Sequence, residues 1–131
     1  MSLINNKYEI INEVNSGSFG KIYKVSYKDN IYALKEDNQQ LLLKHERDIY
    51  KKLKTIDNIS QIIDFFTYKN SHFLVIDYYP FDLIKFKQRF YNSLEYSIKI
   101  LKIFERLINI LKNIHKMGIV HRDLTPSNIC L

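Results

Sequence analysis

Asp123 and Asn128 stand five residues apart in the run His121-Arg122-Asp123-Leu124-Thr125-Pro126-Ser127-Asn128-Ile129-Cys130-Leu131. A loop tightened by Pro126 and bracketed by apolar residues can aim a carboxylate and an amide into one cleft. That pair suits phosphoryl transfer. The carboxylate can orient a hydroxyl nucleophile and accept its proton, while the amide oxygen can hold a magnesium ion that neutralises phosphate charge. Two upstream groupings fit the same chemistry. Gly17 and Gly20 let backbone N–H groups approach an anion with no Cβ in the way, although an ordinary glycine hairpin would read the same. Ala33 and Lys35 share a strand face with Ile31. A shallow floor with a cation at its edge suits a flat purine with phosphates beyond it, and the plainer alternative is a lysine reaching out of a half-buried strand.

The elements that must position these groups follow from the apolar pattern. Tyr8 to Val14, Lys21 to Tyr27 and Ile31 to Lys35 form a three-stranded meander, turned at the glycines and at Asp29-Asn30. From Gln40 to Thr55 a helical stripe of Leu42, Ile49, Leu53 and Ile56 has one missing member, Glu46. A carboxylate on a core-facing stripe is costly unless paired, and Lys35 is its natural partner; Tyr50 or the solvated helix edge is the alternative. Lys44, Arg47, Lys51, Lys52 and Lys54 make a solvated face. Two more strands, Ile59 to Tyr68 and His72 to Tyr78, join at Lys69-Asn70-Ser71. A short helix, Leu83 to Phe90, follows Asp82, which can cap it. The longest helix, Leu94 to Met117, carries one stripe of Tyr96, Ile100, Ile103, Leu107, Ile110, Ile114 and Met117, and a second of Leu101, Phe104, Ile108 and Leu111. An arc that wide belongs to a helix buried on more than one side. Gly118 ends it in the left-handed position a helix cap needs.

Composition bounds the class. The 131 residues are 46% hydrophobic with a net charge of +6, enough for one core of ordinary size and favourable to acidic partners such as nucleotides. The basic residues are scattered without interleaved aromatics, so the pattern does not favour nucleic acid. A single cysteine, Cys130, excludes an intrachain disulfide. No apolar stretch reaches membrane-spanning length and the N-terminus has no signal-like pattern, so an intracellular chain, cytoplasmic or nuclear, is expected.

The motifs together resemble the eukaryotic protein kinase family, on its serine/threonine side. His121-Arg122-Asp123-Leu124-Thr125-Pro126-Ser127-Asn128 is similar to its catalytic loop, Asn15-Ser16-Gly17-Ser18-Phe19-Gly20-Lys21-Ile22 to its glycine-rich loop, and Tyr32-Ala33-Leu34-Lys35 to its lysine strand. Phe73 to Pro80, followed by Asp82-Leu83, resembles its fifth strand and hinge. The resemblance implies an α+β, protein-kinase-like fold. It would comprise a five-stranded antiparallel N-lobe sheet with one helix, the N-lobe and hinge over residues 1–79, and a partial helical C-lobe over 80–131. It makes Asp123 the catalytic base and Asn128 the magnesium ligand, with Lys35 paired to Glu46 on the nucleotide's phosphates. It lines an ATP site with Val14, Asn15, Gly17, Gly20, Ile22 and Ala33, makes Ile76 the gatekeeper, and gives the adenine edge to the backbone of Asp77 and Tyr79, the ribose to Asp82 and the underside of the base to Cys130. Asn15 stands where the family has its first glycine, and its tolerance of positive φ should preserve the turn. Taken as a side chain alone, Cys130 reads as a small buried hydrophobe. Thr125 replaces the lysine usual in that loop. The sequence contains no Asp-Phe-Gly, so a truncated domain is expected: a kinase half that needs completion, or a pseudokinase docking a protein partner through Leu94 to Met117.

Overall fold

The computed structural model of the chain describes residues 3–17, 20–122 and 124–131. It divides into two compact units, Met1–Thr55 with Ile59–Tyr78, and Ile56–Asn58 with Tyr79–Leu131.

The first unit is an antiparallel sheet of β1 (Leu3–Ile4), β2 (Tyr8–Gly17), β3 (Gly20–Tyr27), β4 (Asn30–Asp37), β5 (Ile62–Tyr68) and β6 (Ser71–Asp77), in the order β1-β2-β3-β4-β6-β5. Five of these are the anticipated strands. The sixth, β1, is a two-residue edge that folds back on β2 through Asn5 and Asn6, both at positive φ, a conformation Asn accepts more readily than most residues. The β3–β4 turn is Lys28–Asp29, one residue earlier than expected, because Asn30 already pairs with Tyr27. Both turn residues have positive φ, as do Lys69 and Asn70 between β5 and β6. Turns of that hand match the twist of the flanking strands.

One face of the sheet holds the core. Tyr8, Val25, Leu34, Phe73 and Val75 are buried there, with Tyr23, Tyr32 and Phe66 packed against them. The sheet rolls around this cluster. Tyr8 of β2 stacks on Phe66 of β5, with ring centroids 5.8 Å apart, although three strands separate β2 from β5 in the sheet order. The Tyr8 hydroxyl and Lys7 Nζ both donate to Asp64 Oδ2 at 2.8 Å.

Helix α1 (Gln40–Lys52) continues as a 3-10 turn, Leu53–Thr55, and lies against β5 and β6. Its core anchor is Leu43, fully buried, whereas Leu42 is 47% exposed. Leu53 and Ile56 are buried as expected, so only the first member of the stripe moves, from Leu42 to Leu43, and Glu46 follows its anchor by three positions instead of four. Arg47 also departs from the solvated face assigned to it, since its guanidinium lies 4.7 Å from the centroid of the Phe65 ring.

In the second unit α2 (Leu83–Phe90) and α3 (Tyr96–Lys116) meet through aromatic rings, with Phe86 stacked on Tyr96 at 5.9 Å. Gly118, at φ 77, closes α3 with its N–H on the His115 carbonyl, while Ile119 N–H reaches back to Ile114. These are the two bonds of a Schellman cap. The two stripes of α3 part company. Ile114 is buried, but Leu101, Phe104 and Ile108 are 68, 44 and 63% exposed, so the second stripe is not covered as the width of the arc predicts.

Candidate functional site

The positions singled out in the sequence fall in both units, and each group is built locally. In the first unit, strand register sets the floor. Ala33 pairs with Lys24 of β3 on one side and Ile76 of β6 on the other, while Lys35 pairs with Ile22 and Leu74. Directly opposed residues on neighbouring strands point to the same face. Ile22, Ala33 and Ile76 therefore form a half-buried apolar row on the face opposite the tyrosine-rich core, with Lys35 beside it.

Lys35 Nζ donates to Glu46 Oε2 at 2.7 Å, so the carboxylate on the helix stripe has the partner its position demands. Tyr50, one turn along α1, feels both burial and the Glu46 charge, and its phenol is pushed up to about 12; it was only an alternative partner in the sequence reading. The two side chains of the ion pair are 34 and 32% exposed. A fully buried pair resists rupture by ~3–5 kcal/mol, but at this exposure solvent screening brings the figure down to ~1 kcal/mol. The pair fixes where the ammonium sits more than it holds the fold.

The glycine positions close the end of this face. Gly17 pairs with Gly20, and Ser18 and Phe19 between them lie outside the described residues. Strand β2 runs on through Asn15, which pairs with Ile22; the strand is not interrupted at Asn15, so the turn does not draw on its tolerance of positive φ. Val14 falls in one of two bulges in β2 and is 50% exposed. Gly20 has φ 134, and a Cβ there would overlap the Glu36 carbonyl oxygen. Glycine is what allows the β2–β3 hairpin to lie this close to β4, beside Lys35. At the other end Asp77 closes β6, and its carboxylate accepts from the Gln61 N–H. Lys24, two residues after Ile22 on the same face, has its ammonium over the Tyr78 ring at 5.1 Å. The period-two pattern could have flagged it.

In the second unit Asp82 caps α2, accepting the Lys85 N–H at 2.9 Å, so the capping alternative is realised. Its backbone forms an antiparallel bridge with Cys130, and Leu83 N–H donates to the Ile129 carbonyl. These contacts tie the segment Ile129-Cys130 to the start of α2. Cys130 itself is exposed, which corrects the reading of a buried small hydrophobe: the bridge holds its backbone, not its thiol. Partial burial and then the Asp82 carboxylate push that thiol upward, so it stays protonated and unreactive at neutral pH. Asn128 ends the 3-10 turn Pro126–Asn128, with its N–H on the Thr125 carbonyl. Its side chain is exposed. Tyr79 is 46% exposed. Arg122 takes a positive φ of 68, uncommon outside glycine and frequent at functional loops. Asp123 lies outside the described residues.

The protein kinase domain model matches residues 8–131. The chain is 35% identical over 130 residues to "Probable serine/threonine-protein kinase glkA" of Dictyostelium discoideum, covering 95% of this chain and 27% of that protein. It is 31% identical over 137 residues to a serine/threonine-protein kinase of Arabidopsis thaliana, covering 95% and 28% respectively. A crystallised kinase domain superposes with a TM-score of 0.79 at 28% identity over 99% of this chain and 41% of its own length. The chain thus spans about a quarter of these two curated relatives. With the glycine hairpin, the Lys35–Glu46 pair and the match over 8–131, the chain belongs to the protein kinase domain family.

Proposed function

We propose that the chain is the nucleotide-binding portion of a serine/threonine protein kinase, whose reaction moves the γ-phosphate of ATP to a protein hydroxyl. The observation that carries this reading is the Lys35–Glu46 bond at 2.7 Å beside the Ala33 row and the close-packed Gly20. The purine lies on Ile22, Ala33 and Ile76, flanked by Val14 and read at its edge by the backbone of Asp77 and Tyr79. The phosphates meet Lys35 and the N–H groups of the Asn15 to Gly20 hairpin. Such an arrangement acts by positioning and charge, which is most of what phosphoryl transfer requires. Asp123 takes the hydroxyl proton, Asp82 serves the ribose in addition to its cap, and Cys130 borders the base. Asn128 carries an amide oxygen, a hard donor that fits magnesium; that ion, when bound, neutralises phosphate charge. Residues 1–79 form the nucleotide lobe in this reading, and 80–131 the start of the lobe that carries Asp123.

A kinase of this family also draws a metal-holding aspartate from an Asp-Phe-Gly that this sequence does not contain. In a label-transfer assay with γ-labelled ATP and casein, these 131 residues alone should stay at background. A polypeptide that adds the remaining kinase segments should transfer label and lose that activity with Asp123→Asn. Transfer at an ordinary kinase rate by the 131 residues alone would contradict the assignment.

A second reading, a pseudokinase that binds a protein partner, is favoured by the exposure of Leu101, Phe104 and Ile108 on α3. Contiguous apolar surface of this kind marks interaction sites. The stripe of Ile103 and Leu107 is partly covered, so Leu101→Lys with Ile108→Lys is the informative pair. Sedimentation with another kinase domain should show association lost in that variant and ATP affinity kept; association that survives it eliminates this reading.

A further inference from the structure

Lys24 and Lys35 stand on the same sheet face as Ala33 and are held in different ways. Lys35 is ion-paired to Glu46. Lys24 pairs in register with Ala33 on one side and Asn12 on the other, and no ion pair to it is found among the described residues. Its ammonium lies instead over the Tyr78 ring, 5.1 Å from the centroid, and both residues are half-buried. The contacts of Lys28 with Tyr27 and of Lys69 with Tyr68 join sequence neighbours and tie nothing distant together. The Lys24 contact joins β3 to the residue after β6, although β4 stands between those strands in the sheet order.

Ala33 explains how the lysine crosses. It is the β4 residue opposite Lys24 and contributes only a methyl group, so the lysine stem can pass over β4 while its ammonium reaches the rim. Ile76 pairs with Ala33, and Tyr78 lies two residues beyond it, whereas Leu74, two residues before it, pairs with Lys35. Lys24 therefore leans away from Lys35 and leaves the apolar row open. At the same strand end the Asp77 carboxylate accepts the Gln61 N–H at 3.3 Å. The chain leaving β6 is thus tied at two successive residues, Asp77 and Tyr78.

We infer that Lys24 is a positioning residue for the nucleobase and acts through Tyr78: its ammonium fixes the ring, and the ring fixes the adjoining Asp77 backbone at the base edge. The inference rests on the nucleotide reading above and adds a residue to it. A cation over a half-buried ring is strong enough to change affinity severalfold, and a group that acts on the base leaves phosphate binding as it was. Lys24→Met keeps a stem of similar length beside the apolar row and removes only the tie to the ring. Lys24→Arg restores a cation that stacks on aromatic faces.

The test is equilibrium dialysis of the chain with radiolabelled ATP, displaced by adenosine or by inorganic tripolyphosphate. In Lys24→Met and in Tyr78→Leu the adenosine inhibition constant should rise roughly three- to tenfold. Tripolyphosphate should compete as in wild type, which also shows that each variant is folded. Lys24→Arg and Tyr78→Phe should stay within about twofold of wild type for both competitors, because each keeps a cation on a ring. Lys24→Met combined with Tyr78→Leu should lose no more than the larger single loss, since both remove one contact. Adenosine binding unchanged in Lys24→Met, equal weakening of adenosine and tripolyphosphate, or losses that multiply in the double variant would each overturn the inference. Wild type that retains no labelled ATP would refute the nucleotide reading itself, and this inference with it.

Discussion

Gly20→Ala should unfold the sheet face that carries Ala33 and Lys35 before it touches any ligand. The backbone at Gly20 has φ 134, and an added Cβ would overlap the Glu36 carbonyl oxygen. Conformations of that kind cost an L-residue ~1–3 kcal/mol by themselves. The overlap adds to this, because its partner is backbone held in the β3–β4 ladder through Lys21 and Glu36 and cannot swing aside. A total near 3 kcal/mol corresponds to a fall in melting temperature of roughly 10–15 °C for a domain of this size. Since Glu36 is the neighbour of Lys35, any surviving folded molecules should also bind ATP weakly. Calorimetry of the variant measures the first effect. A melting temperature within 2 °C of wild type would mean that the hairpin does not sit against β4 as described.

The second large effect belongs to Tyr8, the fully buried ring where β2 meets β5. Truncating a buried aromatic costs ~3–5 kcal/mol, so Tyr8→Ala should leave little folded protein at 37 °C. Tyr8→Phe keeps the stack on Phe66 and removes only the hydrogen bond to the Asp64 carboxylate, a loss of ~1.5–3 kcal/mol. The same cluster sets the pH limits of the sheet. Burial raises the Asp64 carboxyl, but the hydrogen bonds from Lys7 and Tyr8 outweigh it and hold it below the usual 3.8. Burial and the bond to Asp64 push the Tyr8 phenol from 10.0 up to about 12, and the bond to Asp64 carries Lys7 above its ordinary value. A depressed acid stabilises above its unfolded value and loses that contribution as pH falls through the folded one. A raised phenol or ammonium stabilises below its unfolded value and loses that contribution as pH rises through the folded one. Urea melts should therefore show the contribution of this cluster level from about pH 5 to 9, declining below 4 and above 10. Asp64→Asn should flatten both ends, and a variant with wild-type pH dependence would show that the cluster does not govern it.

The sequence already carried the elements whose signals are local. The Gly17 and Gly20 spacing, the alternation that puts Ala33 beside Lys35, the Asp82 cap and the Gly118 terminator each depend on a few adjacent residues, and each stands where the pattern indicated. Glu46 was legible for a different reason. A carboxylate interrupting an apolar stripe demands a partner, and that demand survived even though the true anchor is Leu43 and not Leu42. Helical periodicity alone cannot separate neighbours when Leu41, Leu42 and Leu43 are all apolar.

What could not be read depends on contacts between distant parts of the chain. Lys7 and Tyr8 reach Asp64 across 57 and 56 residues, and nothing in either segment announces the roll of the sheet that joins them. Arg47 looked like one more solvated cation in a basic run, because stacking on Phe65 requires β5 to pass beneath α1. The width of the apolar arc on α3 was legible, but a pattern states what a surface could bury, not what covers it. Cys130 shows the same gap on a smaller scale. Its backbone is fixed by the bridge to Asp82 while its side chain remains outside.

The central claim, a folded nucleotide site organised by Lys35, is tested most directly by a thermal melt of the chain with and without ATP, in magnesium and in EDTA, beside Lys35→Met. ATP at ~100 times its dissociation constant adds about 2.7 kcal/mol, an upward shift of several degrees. Wild type in magnesium should show that shift. Lys35→Met should melt only slightly lower than wild type without ligand, as expected of a pair one-third exposed on each side, and should show no response to ATP. A shift of equal size in Lys35→Met, or a wild-type transition indifferent to ATP, would contradict it.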